Sequence, residues 1–162
     1  MTDGAPLSGS LPREAVTVGD VMTKQPMVVG LDTPVREAAE LMRSKVVRHL
    51  PVVDTAGHVL GIVTDRDLRH AAFMPALAEQ VGREPHRVKA PRVRDVMTWS
   101  VVTTHPQITV VQAALTMFQR RIGSLPVVAG DGRLVGILTE WDVFTGLRGG
   151  HAGDEATNPF LW

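Results

Sequence analysis

Apolar positions follow two spacings along the chain. Leu50-Pro51-Val52-Val53 and Val59-Leu60-Gly61-Ile62-Val63 are continuous and largely β-branched, the pattern of buried strands, and Asp54-Thr55-Ala56-Gly57 between them is a hairpin turn signal. Upstream, Val35, Ala38, Ala39 and Met42 recur at helical spacing. Thr33-Pro34 predicts the start of that helix, because Pro at the first helical position gives up an amide that has no partner there anyway. Met27-Val28-Val29 reads as a short strand before it, and the stretch after Thr64 as a helix reaching about Phe73. From Val93 the succession returns. Val110, Ala113, Ala114 and Met117 form the stripe, Leu125-Pro126-Val127-Val128 and Leu134-Val135-Gly136-Ile137-Leu138 the strands, and Gly130-Asp131-Gly132 the turn. The predicted order is β-α-β-β-α, twice.

The two passes align at an offset of 75 residues, without a gap, from Val18-Gly19-Asp20-Val21-Met22-Thr23 on Val93-Arg94-Asp95-Val96-Met97-Thr98 through to Asp67 on Asp142, with 18 identities in 50 positions. Duplication is the sensible explanation, and neither small unit holds enough core to stand alone. The fold class is therefore α/β of the α+β kind: two repeats, residues 17–75 and 93–147, packed through their sheets with pseudo-two-fold symmetry. Residues 1–16 and 148–162 read as mobile tails, the second ending in Pro159-Phe160-Leu161-Trp162, whose aromatic rings are candidates for docking on a partner subunit. Residues 76–92 read as a linker that begins helical, breaks at Gly82 and turns basic.

Composition removes several function classes. Seventeen Lys and Arg balance seventeen Asp and Glu, so the chain lacks the basic field of a nucleic-acid or anionic-membrane binder. With no cysteine, disulfide frameworks and thiolate chemistry are excluded. No leader pattern opens the sequence and no stretch approaches the roughly 18 apolar residues of a membrane span, so a cytoplasmic protein is expected. The six histidines lack metal-site spacing, and Ser124 is not in a nucleophile motif. No metal site and no catalytic residue are expected, and an enzyme acting on nucleotides is disfavoured for want of a nucleophile or base.

The remaining chemistry lies in Gly61-Ile62-Val63-Thr64-Asp65-Arg66-Asp67 and Gly136-Ile137-Leu138-Thr139-Glu140-Trp141-Asp142, two copies of G-x-x-T-x-x-D. A Thr cap with Asp three residues on is a capping-box arrangement, and helix capping alone explains one copy. The same groups also suit a nucleotide: free amides and a hydroxyl for phosphate, a carboxylate for the hydroxyls of a ribose.

With D-V-M-T, the L-P-V-V strand, the glycine turn and G-x-x-T-x-x-D in the same order twice, residues 17–147 resemble the CBS domain family, as a stand-alone pair or Bateman module. The resemblance implies regulatory binding of adenosine nucleotides (AMP, ADP or ATP, with magnesium as an optional companion) in two clefts between the repeats. One site would combine Thr64, Asp67 and Ile62 with Met97, Val102, Ile122 and Gly123. The other would combine Thr139, Asp142 and Ile137 with Met22, Met27, Val47, Arg48 and His49. It also implies a homodimer, and a regulated protein that the sequence does not identify. Because Arg48-His49 of repeat one stands where repeat two has Gly123-Ser124, the Thr139/Asp142 site is expected to take the more highly phosphorylated nucleotide. The Thr64/Asp67 site is expected to accept a monophosphate or stay empty. The alternatives are an interaction module with empty clefts, or a binder of another adenosyl ligand such as S-adenosylmethionine. Trp141 falls on the first turn of the last helix and is expected to pack, at a dimer contact.

Overall fold

The computed structural model describes residues 16–71 and 90–147. The predicted tails apart from Val16, nearly all of the predicted linker and the end of the helix after Thr64 lie outside these residues; Val16, expected in the first tail, instead accepts from the Val110 amide at 2.9 Å. Repeat one supplies α1 (Val18–Val21), β1 (Thr23–Lys24), α2 (Val35–Lys45), β2 (His49–Val53), β3 (Val59–Thr64) and α3, described over 65–71. Repeat two supplies α4 (Val93–Val96), β4 (Thr98–Trp99), α5 (Val110–Arg120), β5 (Ser124–Val128), β6 (Leu134–Thr139) and α6 (Glu140–Leu147).

Helices α2 and α5 bury the predicted stripes, Val35, Ala38 and Met42 on α2 and Val110, Ala113 and Met117 on α5, while Ala39 and Ala114 are half-buried. Thr109 caps α5 by accepting from the Gln112 amide at 3.2 Å, and Gln112 Oε1 accepts from the Thr109 amide at 3.3 Å. Pro34 is not the first helical residue, as expected, but the cap before it. A bridge to Arg92 and a hydrogen bond from Val35 N to Pro91 O hold it extended, with ψ 138°. Both helices end on residues in the left-handed region, Val46 and Arg121 at φ 54°. In the first hairpin, Asp54 Oδ1 accepts from the amides of Ala56 and His58, each at 2.9 Å, and Gly57 supplies φ +87°.

The expected strand Met27–Val29 is absent. Gln25, at φ 50°, turns the chain and Pro26 has no amide to donate, so only Val29 reaches β2, as a single parallel bridge to Val52. The strand of that region is instead β1, and it does not join its own repeat. Thr23 and Lys24 pair with Ile137 and Gly136 of β6, and in the mirror arrangement Trp99 and Thr98 of β4 pair with Gly61 and Ile62 of β3. The sheets are therefore β1-β6-β5 and β2-β3-β4.

Each D-V-M-T segment is thus exchanged, and so is its apolar content. Val93 and Met97 complete a core with Val35, Leu50 and Val63, and Val18, Val21 and Met22 complete one with Val110, Leu125 and Leu138. Gly61 and Gly136 permit the exchange: a Cβ at Gly61 would run into Thr98 O and Met97 Cε, and one at Gly136 into the Met22 sulfur. The hairpins also meet directly, through a bridge between His58 and Arg133 and a hydrogen bond from Leu134 N to Gly57 O of 3.0 Å.

Candidate functional site

Where β3 gives way to α3, the Thr64 amide and hydroxyl both donate to Asp67 Oδ2, at 2.8 and 2.7 Å, and Thr64 Oγ1 accepts from the Asp67 amide at 3.3 Å. The second copy repeats this between β6 and α6, with Thr139 donating to Asp142 Oδ2 at 2.7 Å from each group and accepting from the Asp142 amide at 3.4 Å. The capping box expected from the spacing is present twice. It engages one carboxylate oxygen per copy. Among the described residues Oδ1 of either Asp makes no hydrogen bond, and no buried polar side-chain atom is left unpaired, so Oδ1 keeps contact with solvent and has lone pairs to offer a hydroxyl donor.

The exchanged segments place further predicted residues beside these caps. Met97 packs on Gly61, next to Ile62, which pairs with Thr98. Met22 packs on Gly136, next to Ile137, which pairs with Thr23. Gly123 is bonded to the first turn of α6, its carbonyl accepting from the Glu140 amide at 3.1 Å, and the Arg48 carbonyl does the same for Asp65 at 3.0 Å. A Cβ on Gly123 would lie 3.7 Å from both His49 Nε2 and Glu140 Cδ. His49, opposite Thr64 in the β2–β3 ladder, therefore stands where the two repeats meet.

Other predicted residues sit differently. Val47 packs on the first core, and Val102 and Ile122 on the second. Met27 lies on the loop after β1, 40% exposed.

Glu140 was missed by the sequence reading. The signal was there, because both copies carry an acid directly after the Thr, Asp65 in one and Glu140 in the other. Electrostatics separate the copies further. Burial holds Asp142 above the ordinary carboxylate range, against the bonds from Thr139 that favour its ionised form. Burial and then the Arg48 charge hold His49 below the usual histidine value, with Asp67 pulling the other way. His49 is thereby neutral at neutral pH. Among the described residues no group of three His, Asp or Glu is arranged to hold a metal ion. The caps offer hydrogen-bonding groups and a carboxylate, the chemistry of a polar ligand site.

The sequence profile of the CBS domain matches residues 18–73 and 93–149. The chain belongs to the CBS domain family. Both repeats of the CBS pair contribute to each sheet described above. A CBS domain-containing protein of Dictyostelium discoideum is 35% identical over 128 residues, covering 79% of this chain and 88% of that one. The homoserine O-acetyltransferase of Methanohalophilus mahii is 32% identical, but the match covers 76% of this chain and only 23% of the enzyme. Among solved structures, CBSX2 in complex with AMP superposes with a TM-score of 0.70 at 33% identity, covering 83% of this chain and 97% of CBSX2. The CBS domain pair of protein MJ0100, in complex with 5′-methylthioadenosine and S-adenosyl-L-methionine, gives 0.69 at 29% identity, covering 83% and 98%. No helix among the described residues is long and apolar enough to cross a membrane.

Proposed function

We propose that this CBS pair is a regulatory module that binds an adenosyl ligand at the Thr–Asp caps and passes the resulting change in packing to a paired protomer or another protein. The observation that carries the reading is the doubled cap, in which each Asp bonds its own helix start through one oxygen and leaves the other without a hydrogen bond. The CBSX2 and MJ0100 structures hold adenosyl ligands at 33% and 29% identity, which supports the same ligand class here. Exchange of β1 and β4 supplies a route for transmission. A ligand touching either cap touches a sheet built from both repeats, so differential affinity for two arrangements shifts their packing.

Within that class, the permanent charge of Arg48 beside the junction favours phosphate there, where the equivalent position of repeat two, Gly123, carries no charge. The Thr139/Asp142 site then takes the more phosphorylated nucleotide, with or without magnesium, and the Thr64/Asp67 site a monophosphate. A second reading, a sulfonium ligand such as S-adenosylmethionine, draws support from Glu140, whose carboxylate adds negative charge beside the second cap.

Calorimetry of dialysed protein with AMP, ADP, ATP, 5′-methylthioadenosine and S-adenosylmethionine tests the proposal. Saturable heat with at least one of them is expected, with Asp67→Ala and Asp142→Ala each removing one site. No heat and no thermal shift at millimolar ligand defeats it and leaves an interaction module. Equal ATP affinity in the two single-site variants defeats the assignment of phosphate to one site.

A further inference from the structure

The outer faces of the two helical layers differ in kind. On α5, Val111, Leu115 and Phe118 recur at helical spacing along the solvent side, and on α6 Trp141 and Phe144 lie with ring centroids 5.9 Å apart, ahead of Leu147 at the helix end. Phe118 is 83% exposed, and Val111, Leu115, Phe144 and Leu147 each remain about half exposed. Seventy-five residues earlier, the positions of Val111, Leu115, Phe118, Trp141 and Phe144 are Arg36, Glu40, Arg43, Arg66 and Arg69. There the ion pairs Arg36–Glu40 and Asp65–Arg69 sit in solvent. Because the buried stripes of α2 and α5 are the same residues in kind, helix packing does not require the apolar outer layer of repeat two. A patch of that extent marks a contact surface.

Between α5 and α6 the layer opens into a groove of about 610 Å³, walled by Met117, Phe118, Ile122 and Val143, with Arg121 and Glu140 as its charged groups. Its volume falls within the roughly 300–1,000 Å³ of pockets that hold small organic groups. The chain's own sequence contains a matching segment. Pro159-Phe160-Leu161-Trp162 lies outside the described residues, with eleven residues, 148–158, between it and Leu147 at the end of α6. Of the four Phe and three Trp in the chain, five belong either to the outer layer of repeat two, as Phe118, Trp141 and Phe144, or to this segment, as Phe160 and Trp162. The aromatic content of the protein is thus concentrated in one helical layer and in the stretch that follows it.

We propose that Pro159-Phe160-Leu161-Trp162 docks in the α5–α6 groove of its own chain, an intramolecular contact that covers the apolar layer of repeat two. The choice of occupant rests on reach, concentration and charge. With 8 residues, α6 is about 12 Å long at 1.5 Å per residue. Eleven residues of Gly-rich composition span about 17–20 Å, so a stretch returning along α6 brings Phe160 back to the level of Glu140 and Phe118. Tethering at that length holds the segment at an effective concentration on the order of millimolar, which a second copy at micromolar concentration does not match. Arg120 and Arg121 close α5 beside the groove, and Asp154-Glu155 in the returning stretch supply the opposite charge. Repeat one presents Arg43 where Phe118 stands, so its layer offers the segment no apolar seat.

The contact needs no ligand, so it stands or fails apart from the adenosyl reading. Because the chain has no cysteine, Phe118→Cys combined with Leu161→Cys in the full chain reads the contact directly. Under mild oxidation at micromolar concentration this pair is expected to form a disulfide within one chain, found by peptide mapping of the monomer band. Arg43→Cys with Leu161→Cys, on the charged layer, is expected to give at most a tenth as much. Chymotrypsin supplies a second readout that involves no cross-link. Cleavage after Phe160 is expected to quicken at least 10-fold in Phe118→Asp, while circular dichroism keeps its helix content because residue 118 already faces solvent. Arg43→Ala is expected to leave the cleavage rate within twofold. A disulfide that joins two chains overturns the proposal, because a second copy is then the occupant. No disulfide above the Arg43→Cys control overturns it as well, as does cleavage after Phe160 that is as fast in the unmodified chain as in Phe118→Asp.

Discussion

Replacing Asp142 by Ala separates the two duties assigned to the caps. In the folded chain its Oδ2 accepts from the Thr139 amide and hydroxyl, both at 2.7 Å, at the first turn of α6. Loss of such a cap costs about 1 kcal/mol and at most about 2. The lower figure applies here, because burial already penalises the ionised carboxylate and its removal relieves that cost. For a chain of this size about 1 kcal/mol lowers the melting temperature by about 2–4 °C. Binding is a separate loss. Two ribose hydroxyls donating to the outward oxygen, at about 1.5 kcal/mol each for bonds to a charged acceptor, amount to about 3 kcal/mol, or on the order of a 100-fold fall in affinity. Differential scanning fluorimetry reads the first quantity and calorimetry with AMP and ATP the second, with Thr139→Ser as a control that keeps the hydroxyl. A melting point lowered as expected with affinity unchanged at the second site refutes the ligand role and leaves a helix cap. An unchanged melting point refutes the capping energetics.

Other substitutions probe the scaffold around that site. Gly61→Ala and Gly136→Ala, which drive a methyl into the exchanged segment, are expected to cost about 2–3 kcal/mol each by urea denaturation. Gly123→Ala, whose Cβ meets only ordinary contacts at 3.7 Å, is expected to stay within about 0.5 kcal/mol of wild type. Val46→Gly relieves a β-branched residue held at φ 54° and is expected to stabilise the chain by about 1 kcal/mol in the same assay. His49 has a folded-state value below its unfolded one, so its contribution to stability is present above the ordinary histidine range and is lost as pH falls through the depressed value. His49→Gln is accordingly expected to flatten the fall in urea midpoint between about pH 7 and about pH 5, and a variant with the same slope as wild type excludes His49 as its source.

What was legible in the sequence was local. The strands over Leu50–Val53 and Val59–Val63 and the α2 and α5 stripes follow from spacing, and Thr64–Asp67 declares its own capping box because both partners lie within one helical turn. The exchange of β1 and β4 was not legible in that way. Thr23 carries no mark that its partner is Ile137, more than a hundred residues on, rather than Ile62, since the repeats are alike at both places. Met27–Val29 read as a strand on composition, but Gln25 and Pro26 limit it to one bridge. The four-residue helices α1 and α4 are too short for periodicity to show. His49 could be assigned to a strand start, yet its position between Asp67, Gly123 and Glu140 depends on how the hairpins meet. The charged and apolar outer faces were present in the letters all along. Arg36 against Val111 and Arg43 against Phe118 acquire meaning once the structure shows that all four project away from the cores.

A structure determined with AMP bound tests the central claim most directly. The account predicts the ribose hydroxyls within hydrogen-bonding distance of the outward carboxylate oxygen of Asp67 or Asp142, with the phosphate at the first turn of α3 or α6. Adenosyl ligand seated away from both caps, or a cleft closed by apolar side chains at millimolar AMP, contradicts it.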